Sequence, residues 1–225
     1  MAKELRFTPH LFDFLRELKA NNKKEWFDPN KDRYIADVRD PLLAFIAAIG
    51  PRLGAISPHL VADPKRSMFR IYRDTRFSKN KIPYKTQASA FFFHQAGGKD
   101  GAGIYLHLEP ESCFLGIGLW HPDPVTRTKV SNAISTKPDA WRDATTSKEF
   151  RRLFKMAGDS LAKLPKQYDP QHPFAEDLKR KDFIVVSRFT EKQACAKDFI
   201  ERVDNVSRVA APYLGFIIKA VGLKW

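Results

Sequence analysis

Between Leu53 and Phe69 the spacing of apolar residues changes from three-and-four to two, and this change decides the fold class. Upstream, Leu11, Leu15 and Leu18, joined by Phe12 and Phe14, form one apolar helix face. Ile35, Val38, Leu42, Phe45, Ile46, Ile49 and Leu53 form another. Thr8-Pro9 and Asp28-Pro29 are start signals, a capping oxygen followed by a residue that needs no amide partner. Asn21-Asn22 is a stop signal. Pro41 is expected to kink or divide the second helix, and Gly50-Pro51 through Pro58 to form a loop.

From Ser67 onward, Phe69, Ile71 and Arg73 alternate with Met68, Arg70 and Tyr72, which predicts a strand ended by Asp74-Thr75. Further strands are predicted over 86–95, 104–109 and 113–120, joined by AGGKDGAG (96–103) and by Pro110-Glu111-Ser112. Gly116 and Gly118 strip side chains from one face of the last of these, where another segment or a ligand can approach closely. Past Pro124 the helical spacing returns, with a capping-box pattern at Thr146 and Glu149. The β-branched run FIVVSRF (183–189) predicts a fifth strand. A second capping box, Thr190 with Gln193, precedes a C-terminal helix carrying Phe199, Val203, Val206, Ala210 and Leu214, with a kink expected at Pro212. Helices, then consecutive strands, then helices predict a single α+β domain over residues 1–225. Its mainly antiparallel sheet of about five strands is packed with N-terminal and C-terminal helices.

Composition narrows the function classes. The start, MAKELRF, lacks a signal-peptide core, and PLLAFIAAIG (41–50) and VAAPYLGFII (209–218) are too short to span a bilayer. Only Cys113 and Cys195 are present, far apart and without a CxxC, so neither a disulfide framework nor a cysteine zinc site is predicted. A soluble protein of the reducing cytosol is expected, with no membrane partner. The six histidines, at 10, 59, 94, 107, 121 and 172, show no HxH or HxxxH spacing. His94 and His107 lie on neighbouring predicted strands and are the pair placed to converge, but no metal site and no cofactor is predicted. Gly97-Gly98-Lys99 is a hairpin turn. A phosphate loop needs Ser or Thr after the lysine and Gly five residues before Gly98, where Asp100 and Phe93 stand.

The chemistry concentrates in residues 66–85, RSMFRIYRDTRFSKNKIPYK, where seven of twenty residues are Arg or Lys and one is acidic. The stretch supplies +6 of a formal net charge of +13. Arg70, Arg73, Arg76, Lys79, Lys81 and Lys85 are candidates for an anion-binding site, since guanidinium forks and ammonium groups meet phosphate or carboxylate. The same residues also suit a nucleic-acid surface, or an internal ion-pair network with Glu25, Asp28, Asp32 and Asp37 in a non-catalytic interaction module. Asp74 and Tyr84 are candidates for proton transfer in this cationic setting, provided that both face one cleft. Against that, Asp74 suits an Asx-type turn and Tyr84 an amphipathic packing role. Trp26 and Trp120, with the carboxylate of Glu25, are candidates for a pocket wall. Ligand identity, oligomeric state and the question of catalysis stay open at this point.

Four segments, NNKKEWF (21–27), RIYRDTRFSKNKIPYKT (70–86), YLHLEPESCFLGIGLWHP (105–122) and QYDPQHPFAEDLKRKDF (167–183), together resemble the bacterial and fungal family catalogued as domain of unknown function 2461. The resemblance runs from about Phe7 to about Phe189. It implies one compact domain and no established activity, cofactor or partner. Two positions depart from the family pattern: Asn80 stands where an Asp is usual, and VSNAI (130–134) lacks the expected Arg.

Overall fold

The two faces of the sheet are set by the alternation of its strands. In the computed structural model, which describes residues 6–76, 79–98 and 101–225, six antiparallel strands are ordered β1-β2-β3-β4-β6-β5. They are β1 (Leu60–Val61), β2 (Ala88–His94), β3 (Gly103–Glu109), β4 (Ser112–Leu119), β5 (Lys155–Ala157) and β6 (Phe183–Phe189). Ile104, Leu106 and Leu108 pair across to Cys113, Leu115 and Ile117, and onward to Val185 and Phe189. All of these are buried in one core that runs in sequence from Phe7 to Ile218. The intervening residues, among them Phe91, Tyr105, Phe114, Gly116, Ile184 and Val186, are only half-buried. One face therefore belongs to the helices and the other stays open.

The helical layer follows the apolar stripes of the sequence. Pro9–Ala20 buries Leu11, Phe12, Phe14, Leu15 and Leu18, with Thr8 before it and Asn21 after it as expected, although the Thr8 side chain makes no capping hydrogen bond. The expected break at Pro41 is absorbed one turn earlier. Tyr34–Arg39 is a π-helical stretch leading into the helix Asp40–Ile56, whose wider turn relieves the clash a proline ring makes with the preceding carbonyl. That helix runs on through Gly50-Pro51, where a loop was expected, because Leu53 continues its buried stripe. The C-terminal helix Phe199–Ala220 likewise carries Pro212 inside it. The capping box at Thr190 and Gln193 forms, but it closes only the short helix Glu191–Ala194. The box expected at Thr146 is displaced by one residue, and Ser147 caps Lys148–Leu153 instead. Among the described residues no helix is long and apolar enough to cross a membrane.

The strand expected over Ser67–Arg73 does not form as a regular element. Ser67 ends a short helix, Pro64–Ser67, and the chain beyond it makes two isolated bridges, Met68 to Ala90 and Tyr72 to Tyr84. Four residue steps on one side thus face six on the other, and the two extra residues form a bulge that breaks the ladder. Hydrogen bonds persist on either side of it, from Phe69 N to Ser89 O (3.0 Å) and between the Ile71–Arg73 and Pro83–Lys85 segments (2.7 and 2.8 Å). The short β1 and β5 had no periodic signal to announce them. Phe77 and Ser78 of the basic loop, Lys99 and Asp100 of the expected turn and the first five residues lie outside the described residues.

Three glycines cluster on the open face, where Gly103 pairs with Gly118 and Tyr105 with Gly116. A β-carbon on Gly103 would lie 2.3 Å from the Phe92 carbonyl oxygen. One on Gly118, at φ 129°, would lie 2.0 Å from that of Phe183. Gly118→Ala is therefore expected to lower stability by about 2–4 kcal/mol through clash and left-sided backbone strain, measured by urea unfolding.

Candidate functional site

A groove of ≈ 550 Å³ lies on the open face over these glycines. Gly103, Gly116 and Gly118 form its floor, and Phe69, Phe91, Tyr105, Phe114, Trp120 and His121 form its walls. Gly116 differs from the other two. A β-carbon there would have its nearest neighbour at 3.7 Å, an ordinary contact, so the backbone does not demand glycine. What the missing side chain provides is depth.

Cations ring the aromatic walls. The Lys85 ammonium lies 5.2 Å from the centre of the Phe69 ring, and the Arg188 guanidinium lies 5.8 Å from that of Phe114. Arg66 covers Phe93, whose ring neighbours Phe91. Each sits where a ring face attracts positive charge. Trp120 is 57% exposed at the groove mouth. Its position is fixed by His121, a non-glycine residue at φ 46°, whose amide donates to Asp182 Oδ1 at 2.7 Å. Asp182 is only 1% exposed, and its second oxygen accepts the Asp159 amide at 2.8 Å. One buried carboxylate thus holds two loops together and stores the strain of the Trp120–His121 corner.

Along β3 a polar chain runs beside the groove. Tyr105 Oη is 3.0 Å from His107 Nδ1, and His107 Nε2 is 3.1 Å from Glu109 Oε2. The Thr86 hydroxyl, carried out of the ladder by the bulge, donates to Glu109 Oε1 at 2.9 Å. Phe114 stacks on the His107 ring at 4.6 Å and holds it flat. Burial pushes the His107 imidazole below its ordinary value, and the Glu109 carboxylate pulls it partly back. Burial raises the Tyr105 phenol, partly offset by the Ser89 hydroxyl.

The residues singled out from sequence divide. Tyr84 is buried, 4% exposed, and stacked on Phe27 at 4.1 Å. Its backbone is gripped by Asn22, which donates to Tyr84 O and accepts from Tyr84 N, both at 3.0 Å. Burial and the nearby acids Asp28 and Glu25 raise its phenol, opposite to the effect expected of Lys81 and Lys85. Asp74 is exposed and accepts from the Arg76 amide in an Asx-type turn and from the Arg76 guanidinium, which holds its carboxyl below the usual range. Proton transfer by Asp74 and Tyr84 required both side chains to face one cleft, whereas Asp74 stands in solvent and Tyr84 is packed in the core.

Arg70, Lys79 and Lys81 are exposed and Arg73 is half-buried. Lys81 donates to the Thr75 carbonyl at 2.9 Å. Among the described residues no ion pair joins Arg70, Arg73, Lys79 or Lys81 to Glu25, Asp28, Asp32 or Asp37, while Arg76 pairs with Asp74. Of residues 66–85, Phe69 lines the groove and Lys85 lies over its ring. Trp120 lines the groove, whereas Trp26 packs against Phe14 in the helical layer and Glu25 is exposed there, so these three do not wall one pocket.

His94 and His107 do not converge. His94 bonds the Lys224 carbonyl at 2.8 Å, at the far end of β2 from the Ser89–His107 pair. Among the described residues no group of three or more His, Cys, Asp or Glu is placed to hold a metal ion. Cys113 and Cys195 are free thiols, and burial pushes Cys113 up to about 11, which leaves it a poor nucleophile. A second cavity, of ≈ 520 Å³ between Ala133, Pro212, Phe216 and Trp225, is lined by none of the residues in the four segments quoted above.

Fold and site together define a two-layer α+β protein whose open sheet face carries an aromatic groove rimmed by cations. The chain belongs to the family described as conserved hypothetical protein (DUF2461), which matches residues 10–216 and so extends into the C-terminal helix. No curated protein matches it.

Since folding depresses His107, protonation opposes folding. Its contribution is complete above the ordinary imidazole value of about 6.5 and is lost as pH falls through the folded value. By nitrogen-15 NMR, His107 is expected to titrate below that ordinary value, and lower still in Glu109→Gln, which removes the one charge that raises it.

Proposed function

We propose that the protein binds, on the open face of its sheet, a small ligand that joins a flat apolar portion to a phosphate or carboxylate group. The observation that carries this reading is Gly116, a glycine the backbone does not require, at the floor of an aromatic groove of small-molecule size. The flat portion stacks among Phe69, Tyr105, Phe114 and Trp120, and the negative group meets Lys85 or Arg188 at the rim. Arg70, Arg73, Arg76, Lys79 and Lys81 act at longer range, adding to a field that draws anions toward this side. The two free cysteines fit a reducing cytosol.

A second reading is single-stranded nucleic acid, favoured by aromatic rings on an open sheet face flanked by cations, an arrangement on which successive bases stack. The two differ in salt dependence. A polymer releases many counterions and weakens steeply with salt, whereas a single phosphate weakens gently.

Adenosine 5′-monophosphate serves as the probe, with Trp120 fluorescence as the signal. Gly116→Val is expected to keep wild-type thermal stability within about 1 kcal/mol, since a β-carbon fits there, and to weaken binding at least about tenfold. Lys85→Ala is expected to weaken it about three- to tenfold at low salt, the range of one charge-assisted contact. Binding unaffected by Gly116→Val sinks the groove reading and leaves the sheet face an interaction surface. A labelled oligothymidylate that binds tightly with a steep salt slope, while the monophosphate does not bind, favours the polymer.

A further inference from the structure

Tyr105, His107 and Glu109 occupy alternate positions of β3 and therefore share the open face of the sheet. Their order matters. A hydroxyl, an imidazole and a carboxylate are bonded in series, and the outer carboxylate is fixed by Thr86. Glu109 as a carboxylate has no proton to give, so His107 Nε2 carries the ring proton and donates to it. His107 Nδ1 is then the acceptor, and the Tyr105 hydroxyl donates to it. This is the arrangement in which a base is oriented by a third group. Of the three, only Tyr105 lines the groove. The lining includes no Ser, Thr or Cys, and the Ser89 hydroxyl reaches Tyr105 from β2 rather than from the groove, so a proton delivered to Tyr105 from the groove side comes from the ligand or from water.

We infer that Tyr105, His107 and Glu109 form a general-base relay that activates water against an ester held in the groove. The water gives its proton to Tyr105 Oη as the Tyr105 hydroxyl proton passes to His107 Nδ1. The imidazolium so formed is held by Glu109. The water oxygen bonds to the acyl or phosphoryl centre, the ester bond breaks, and the leaving oxygen takes the proton back through Tyr105. Ester and water become acid and alcohol, and the protein returns to its starting state without any redox partner. Tyr105 is the catalytic residue. His107 and Glu109 are positioning residues that act through it. The inference rests on the groove reading in one respect, that Tyr105 forms one of its walls.

The test is hydrolysis of p-nitrophenyl acetate by the full chain, followed by release of p-nitrophenolate. Tyr105→Phe keeps the ring and removes only the hydroxyl. It is expected to lower kcat at least about tenfold with KM unchanged, a conservative bound for general-base catalysis. His107→Gln is expected to do the same and Glu109→Gln to lower kcat less. His10→Ala, which removes an exposed imidazole on the helix Pro9–Ala20, outside the groove, is the control for esterolysis by a surface histidine and is expected to leave the rate unchanged.

The wild-type pH profile is expected to rise with the midpoint at which His107 itself titrates by NMR. The groups facing that ring are Tyr105 and Glu109 on β3, Ser89 across on β2, and Phe114 on β4 with Arg188 beyond it on β6. A rate in Tyr105→Phe equal to wild type, or a pH profile indifferent to His107, overturns the relay. Tyr105→Phe packs the same ring, so it decides the matter even should His107→Gln fail to fold. Tyrosine-dependent hydrolysis without adenosine monophosphate binding supports the relay and rejects the proposed ligand class. Binding without tyrosine-dependent hydrolysis does the reverse.

Discussion

A single sheet is asked to satisfy two different surroundings, and the strand alternation is what lets it do so. Leu106, Leu115, Ile117 and Val185 turn toward helices and are fully buried. Tyr105, Phe114, Gly116 and Val186, one residue out of step, turn away and remain half-buried. Shifting any of these strands by one residue would exchange the two sets, exposing a core and burying a groove. The register of β2, β3, β4 and β6 is therefore the constraint from which both the stability of the helical layer and the openness of the other face follow. The glycines refine it. Two of them let neighbouring backbones approach, and the third leaves room where the fold would have tolerated a side chain.

Distant parts of the chain are brought to this face by a few polar anchors. Asn22 clamps the backbone of Tyr84, so the NNKKEWF segment fixes the closing arm of the basic loop. Phe27 stacks on Tyr84 from the same segment, and Phe69 and Lys85 emerge beside the groove from the two arms of that loop. Asp182, at the end of the QYDPQHPFAEDLKRKDF segment, holds the Trp120–His121 corner. The four segments that carry the family resemblance thus meet at or behind one surface. Among the described residues, Arg70, Arg73, Arg76, Lys79, Lys81 and Lys85 are not in the groove lining. Arg70, Arg76, Lys79 and Lys81 stand in solvent, and their charge adds to the long-range field of the chain.

Much of this could be read from residue spacing, and the failures have physical causes. Strand 183–189 and the helix opening at Thr8-Pro9 carried strong local signals and formed as read. The bare face at Gly116 and Gly118 was visible because glycine inside a strand has few explanations. The strand at 67–73 was misread because its own alternation is sound, and the break lies in its partner, where two extra residues bulge. Tyr84 takes the packing role that its type suggests, since neighbouring lysines in sequence say nothing of which way a ring packs. The Tyr105–His107–Glu109 chain was missed although its signal was present. YLHLE places a phenol, an imidazole and a carboxylate on one strand face, a pattern that metal-ligand spacing of histidines does not reveal. Trp26 and Trp120 were grouped by residue type alone, and the fold put one in the helical layer and the other at the groove.

The most direct measurement is a map of backbone and Trp indole NMR shifts on titrating adenosine 5′-monophosphate into nitrogen-15-labelled protein. The account predicts the largest changes at Gly103, Tyr105, Gly116, Gly118 and the Trp120 indole, with smaller ones at Lys85. Changes confined to the basic loop between Arg70 and Lys81, or no changes at all on the open sheet face, would contradict it.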